Sequence, residues 1–148
     1  MKAVTASGSV VGRGSATSSL TTGDMAGIIA DALRDVPQGA RVLAVIPDRT
    51  RDDNTAILFP LVSQQLARSG ATRLDALVAQ GTHAAMADAE KRAKIGWGDA
   101  EIPMLGEVFD HHWDRPDALM MLLNCAATYA VATDAAMPKT VAIRPIQR

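Results

Sequence analysis

The most constraining feature of this chain is a repeated pattern, a short, mainly apolar run that ends in a polar loop. Arg41-Val42-Leu43-Ala44-Val45-Ile46-Pro47 is the first run and Leu74 to Ala79 the second. The first is continuous rather than alternating, which predicts a strand buried on both faces, and the second is read as another strand. Between them Leu58, Leu61, Val62, Leu66 and Ala67 recur at helical spacing, and Ser69-Gly70 closes that helix. Pro60 has no amide proton and is expected in the helix's first turn. Strand, helix and strand joined by short loops predict a parallel βαβ unit. The pattern continues with an alanine-rich helix over Ala84 to Ile95, stopped at Gly96, and a strand at Glu107-Val108-Phe109. It is preceded by a helix that Thr22 or Asp24 can cap, with Met25, Ile28, Ile29, Ala32, Leu33 and Val36 on one stripe and Pro37-Gln38-Gly39 at its end. Asp117 can cap a later helix through Leu119, Met120, Leu122 and Leu123, and Tyr129 to Thr133 and Thr140 to Ile143 are candidate strands. The expected fold is α/β, a three-layer sandwich around a mainly parallel, Rossmann-like sheet. Residues 24–148 are read as one domain, and residues 1–23 as a mobile arm or an edge hairpin through Val10-Val11.

Composition narrows the function. A formal net charge of −1 offers no excess of positive charge for nucleic acid or an anionic membrane, and 3% aromatics leave few stacking platforms for bases. Cys125 is the single cysteine, which excludes an internal disulfide and a cysteine-rich zinc site. No apolar run approaches the roughly 18 residues of a transmembrane helix. Residues 1–23 contain Lys2 and Arg13 and no acid, a transit-peptide composition, yet they lack the apolar core of a secretory signal. A cytoplasmic location is therefore expected.

Parallel strands present their carboxyl ends at one rim, and ligands bind there. The residues that follow each strand are Asp48-Arg49-Thr50-Arg51, Gly81-Thr82-His83 and Asp110-His111-His112-Trp113-Asp114. These segments hold all 3 histidines of the chain. Arginine can grip a carboxylate bidentately, histidine exchanges a proton near neutral pH, and a carboxylate can orient either one. Each residue also has a plain structural role open to it. Asp48 and Arg51 can pair with each other or cap the helix near residue 55. His83 can cap the helix after it, and Gly81 can simply turn the chain. His111 and His112 are adjacent, so on a strand they face opposite sides. Met120-Met121 reads as core filling, and Trp97 and Trp113 as cover for the core edge.

The stretch Ile46-Pro47-Asp48-Arg49-Thr50-Arg51, followed after a helix by Val78-Ala79-Gln80-Gly81-Thr82-His83, resembles the nickel-dependent lactate racemase family. Members of that family carry a D-x-T-R motif after one strand and G-T-H after the next. His111-His112-Trp113-Asp114 is similar to the family's later H-D segment, and the resemblance runs from about Asp24 to Leu119. It implies inversion of a 2-hydroxy acid by hydride transfer to a nickel pincer nucleotide, with histidines acting on the hydroxyl. Carried over by motif, His83 is one catalytic base. Arg51 holds the substrate's anionic group, Asp48 orients the site, and Thr50, Gly81 and Thr82 line it. His111, His112 and Asp114 are candidate supporting residues behind them. No metal ligand is assigned to this chain.

The sequence departs from the family at several points. Asp52-Asp53-Asn54 replaces a proline-rich segment and adds negative charge beside the anion site, and Ala84 replaces an arginine. Lys139 lacks the glycine-rich context of the cofactor-bearing lysine, and no histidine follows His112. The expectation is a truncated racemase N-terminal domain that is inactive alone and carries no covalent cofactor on Lys2, Lys91, Lys94 or Lys139. Its partners would be a small 2-hydroxy acid or other small anion, and a complementary chain or a second copy. Two alternatives stand beside it. Asp110-His111-His112 also resembles the DHH phosphoesterases, and with Asp48, His83 and Asp114 it could offer divalent-metal ligands. The other alternative is a non-catalytic module that binds small anions.

Overall fold

The computed structural model describes residues 11–12 and 14–112. Its elements alternate along the chain: α1 (Thr22–Ala32), β1 (Arg41–Pro47), α2 (Thr55–Arg68), β2 (Arg73–Ala79), α3 (Asp88–Lys94) and β3 (Leu105–Asp110). The strands form one parallel sheet in the order β1-β2-β3, with Ile46, Val78 and Asp110 in register. This is the α/β, Rossmann-like layout that the apolar runs predict.

Side chains alternate across a strand, so Val42, Ala44 and Ile46 share a face with Leu74, Ala76 and Val78. That face carries the core. Ile29 of α1, Leu33 at its end, Phe59, Val62 and Leu66 of α2, and Met86 and Ile95 around α3 pack onto it. The helix expected at Asp117 to Leu123 lies outside the described residues. So do the strands expected in the tail, together with Val10, Cys125, Trp113, Met120 and Met121. Among residues 11–20 the one paired feature is an isolated antiparallel bridge between Ser15 and Ser18. Among the described residues no helix is long and apolar enough to cross a membrane.

Several local expectations need correction. Thr21, not Thr22 or Asp24, caps α1. Its hydroxyl accepts the Asp24 amide at 3.1 Å, and the Asp24 carboxylate accepts the Thr21 amide at 3.0 Å. α1 ends at Ala32, so Val36 reaches the core from the following turn. Pro60 lies inside α2, beyond its first turn. It cannot donate to the carbonyl of Ala56, and the backbone of Gly96 packs against that freed carbonyl so closely that a Cβ would overlap it. α3 begins at Asp88 rather than Ala84. Residues 84–87 stay outside the helix and deliver Met86 into the core, and Glu90 accepts the Ala87 amide at 2.8 Å. Trp97 does not cover the core edge. It is 49% exposed and lies beneath the Arg92 guanidinium, 4.7 Å from the ring centre.

One polar residue interrupts the second apolar run. Asp75 is 1% exposed inside β2. The β2–β3 register slips between Leu74 and Ala76, leaving an extra residue on β3. The Asp75 carboxylate fills this bulge. It accepts the amide of Glu107 at 2.6 Å and Nε of Arg73 at 2.9 Å. Gly106 makes room for it, since any Cβ there would overlap Asp75 Oδ1.

Candidate active site

Three parallel strands bring their carboxyl ends to one rim, and the first residue after β1 is Asp48. It continues the row of Val42, Ala44 and Ile46, so its side chain leaves on the core face and is only 4% exposed. A carboxylate taken this far from water needs partners. Its Oδ1 accepts the Thr50 amide at 3.0 Å and the Thr50 hydroxyl at 2.6 Å, a local turn that shapes the start of the loop. Its Oδ2 meets Nδ1 of His83 at 2.6 Å, from the loop after β2. Burial pushes the Asp48 pKa upward, but the bonds from Thr50 and His83 outweigh it and hold the group below its ordinary value.

His83 is positioned by its own loop. Gly81 turns the chain with φ of +58°, and the His83 amide donates to the Gln80 carbonyl at 3.0 Å. Its side chain remains 55% exposed. Since Asp48 is ionised and accepts only, Nδ1 of the imidazole is the donor in this bond, and in the neutral ring Nε2 is then the acceptor. An oriented, solvent-accessible base is the chemical product of this arrangement. Thr82 and Gly81 are exposed beside it.

Arg51 neither pairs with Asp48 nor caps α2. Its amide donates to the Asp48 carbonyl at 3.3 Å, its side chain is exposed, and it forms no ion pair among the described residues. Asp53 does the capping, accepting the Thr55 amide at 2.8 Å. Its other oxygen takes Lys94 Nζ at 2.9 Å. Burial raises the Asp53 pKa, and the bonds from Thr55 and Lys94 more than reverse that, leaving it lowered. Its negative charge is therefore neutralised by Lys94 of α3.

α3 touches the ends of β1 and β3. Glu90 pairs with Arg49 at 3.0 Å, Lys94 with Asp53, and Lys91 with Asp110 at 2.5 Å. Pattern reading assigned none of these contacts. Asp53, two places before the helix start, was locally visible as a cap. The lysines and Glu90 act across 19 to 43 residues and leave no local signal. Gln80, 3% exposed at the rim, was also passed over.

His111 and His112 are half-buried where β3 ends, and the His111 amide extends the ladder to the Val78 carbonyl at 3.2 Å. No hydrogen bond joins either imidazole to Asp48 or His83. Asp114 lies outside the described residues. Among the described residues no group of three or more His, Cys, Asp or Glu is placed to hold a metal ion. An apolar cleft runs along β1 and α2, lined by Val42, Ala44, Leu58, Phe59 and Val62, and the Asp48–His83 pair is not part of its wall.

Comparison with known proteins gives these residues a setting. The profile of the lactate racemase N-terminal domain matches residues 26–135, extending past Leu119, where the motif resemblance stops. A crystal structure of a protein from Thermotoga maritima superposes with a TM-score of 0.59 at 26% identity, covering 66% of this chain. The matched part is 23% of that protein's chain. No curated protein matches. With the profile spanning well over half of its residues, the chain belongs to the lactate racemase N-terminal domain family.

Proposed function

We propose that this rim supplies the substrate-handling side of a 2-hydroxy acid racemase or epimerase site. His83 is one of the two histidines such a reaction uses on the C2 hydroxyl, exchanging its proton through Nε2 for one of the two enantiomers. Asp48 fixes the ring's orientation and stabilises the imidazolium formed in between, as a buried carboxylate does behind a histidine base. Arg51 grips the substrate carboxylate through two parallel N–H donors. Thr50, Gly81 and Thr82 shape the approach. The observation that carries this reading is the 2.6 Å bond between His83 Nδ1 and Asp48 Oδ2, which holds an exposed imidazole at the rim whose first loop carries the exposed Arg51.

The nickel pincer nucleotide implied by the family would supply a hydride acceptor. Among the described residues no group of three or more His, Cys, Asp or Glu is placed to hold its metal, and the part proposed for this chain is proton transfer and carboxylate binding. On this reading the isolated chain does not interconvert D- and L-lactate, and none of its lysines carries a cofactor adduct.

The test is an NMR titration of the purified chain with D- and L-lactate. Binding with Kd on the order of 1 mM is expected, with the His83 ring signals moving and the response lost in Arg51→Gln. A response that survives Arg51→Gln and leaves His83 unmoved would overturn the proposal. Intact-mass spectrometry after co-expression with a cofactor-making pathway tests the second part, for which an unmodified mass is expected.

A further inference from the structure

We propose that Lys94 is a positioning residue for Arg51: from α3 it holds the loop between β1 and α2 in the shape that presents the arginine at the rim. The inference rests on the reading of Arg51 as the carboxylate-gripping residue.

The loop spans residues 48–54 and contains no regular structure. Its first half is fixed from within by the Asp48 bonds to Thr50. Its second half depends on α3. Lys94 Nζ donates to the Arg51 carbonyl at 2.9 Å and to Asp53 Oδ2 at 2.9 Å. No other side chain among the described residues bonds to the Arg51 backbone. The Lys94 and Asp53 side chains are only 11% and 6% exposed, so water competes weakly for their ion pair, and that pair fixes the ammonium from which the more exposed bond to the Arg51 carbonyl is made. The Arg51 guanidinium forms no ion pair among the described residues, so its direction is inherited from its backbone. An arginine that must meet a planar carboxylate bidentately gains from a fixed starting point, because less freedom is lost on binding. The same contact answers the charge added by Asp53, since the lysine that holds Arg51 also neutralises that carboxylate.

Replacing Lys94 alone leaves a buried carboxylate without its cation, and that variant can fail to fold. The informative variant is the double one, Lys94→Met with Asp53→Asn. It removes both charges, while the side-chain oxygen kept at position 53 still accepts the Thr55 amide. Three readouts are taken on the wild-type chain, Lys94→Arg and the double variant: thermal midpoint, ¹⁵N backbone order parameters, and lactate affinity. The double variant is expected to keep its fold while the order parameters of residues 50–53 fall from about 0.85 to below about 0.6. Lactate binding should weaken about tenfold in parallel. Lys94→Arg, which can donate to both acceptors, should restore order and affinity. A double variant with a rigid loop overturns the proposal, and so does a loosened loop with wild-type affinity that still depends on Arg51. Affinity that Arg51→Gln leaves unchanged overturns instead the reading of Arg51 itself.

Discussion

Two buried aspartates at opposite ends of the sheet spend their bonding capacity differently. Asp75, in the amino-terminal half of β2, is 1% exposed and gives its carboxylate to Arg73 and to the backbone of β3. Asp48, just past the carboxyl end of β1, is 4% exposed and gives one oxygen to Thr50 and the other to an imidazole whose side chain is 55% exposed. The first is closed on itself and serves pairing of the strands. The second ends in a group that faces a solute. The residue type is the same, and position along the strand decides which outcome is available. Midway along a strand an acid can meet only the neighbouring ladder. At the rim it meets a loop, and loops in parallel sheets carry the chemistry.

The largest effect should come from breaking the first of these. Asp75→Ala leaves the Glu107 amide without its acceptor and removes the charge-assisted bond to Arg73, at a cost of about 3 kcal/mol. Urea unfolding measures it. The bound-lactate signals of His83 should be unchanged wherever the variant is folded, and a shift there would show that the two ends are coupled. Gly106→Ala acts on the same contact, since its Cβ displaces Asp75 Oδ1. It should cost about 2 kcal/mol in the wild-type background. In the Asp75→Ala background the cost should fall, because the remaining neighbour, the Arg73 guanidinium, is the end of a flexible side chain that Asp75 no longer holds, and a double-mutant cycle would read the difference.

This contrast also marks what could be read from sequence. The bounds of β1 were legible to its last residue because a continuous apolar run between breakers has few other uses, but its expected burial on both faces is not met: Val45, on the face away from the core, is 48% exposed. The rim position of Asp48 and His83 followed from the repeated order of strand and polar loop. Asp75 was not legible, because its partner lies on β3, 32 residues on, and a single acid inside an apolar run has no period. Pro60 was assigned to the first turn of α2 from propensity alone. The carbonyl it frees is accommodated by Gly96, a contact between distant segments. The start of α3 was missed because alanine favours helix over 84–87, whereas burial of Met86 sets the local conformation.

The rim acids should also set the response to pH. Asp48 and Asp53 both sit below the ordinary aspartate value of 3.8 in the folded chain. A depressed folded pKa contributes stability that is present above the unfolded value and lost as pH falls through the folded one. Stability should therefore drop below about pH 3.8, and Asp48→Asn or Asp53→Asn should flatten that acid limb. At neutral pH Asp48→Ala should cost roughly 2 kcal/mol, less than the loss of Asp75. If the acid limb is unchanged in both asparagine variants, other carboxylates govern acid unfolding.

Orientation and stability can be separated at the same pair. In Asp48→Asn an amide faces the ring and can donate to Nδ1, so the imidazole population should move toward the Nε2–H tautomer. That form has no acceptor left for a substrate hydroxyl. ¹⁵N shifts of the His83 ring report the tautomer directly. Lactate-induced shifts of the ring should shrink even in samples that remain fully folded. A ring that keeps its proton on Nδ1 in this variant would show that something other than Asp48 sets its orientation.

The smallest effect should come from the exposed member of the α3 contacts. Arg49 and Glu90 meet at 3.0 Å, but their side chains are 48% and 40% exposed. Two long side chains held in water gain little beyond the entropy they lose, and such pairs contribute about 0–1 kcal/mol. Lys94 and Asp53 join the same helix to the same loop with far less exposure, so the two contacts form an internal control. Arg49→Ala should shift stability by less than about 0.5 kcal/mol, and that small shift should fade further in about 1 M salt. It should leave the loop's order parameters and lactate affinity at wild-type values, because the Arg51 backbone is anchored by Lys94 and not by Glu90. A loss of lactate binding in Arg49→Ala with stability intact would move part of the anion grip from Arg51 to Arg49.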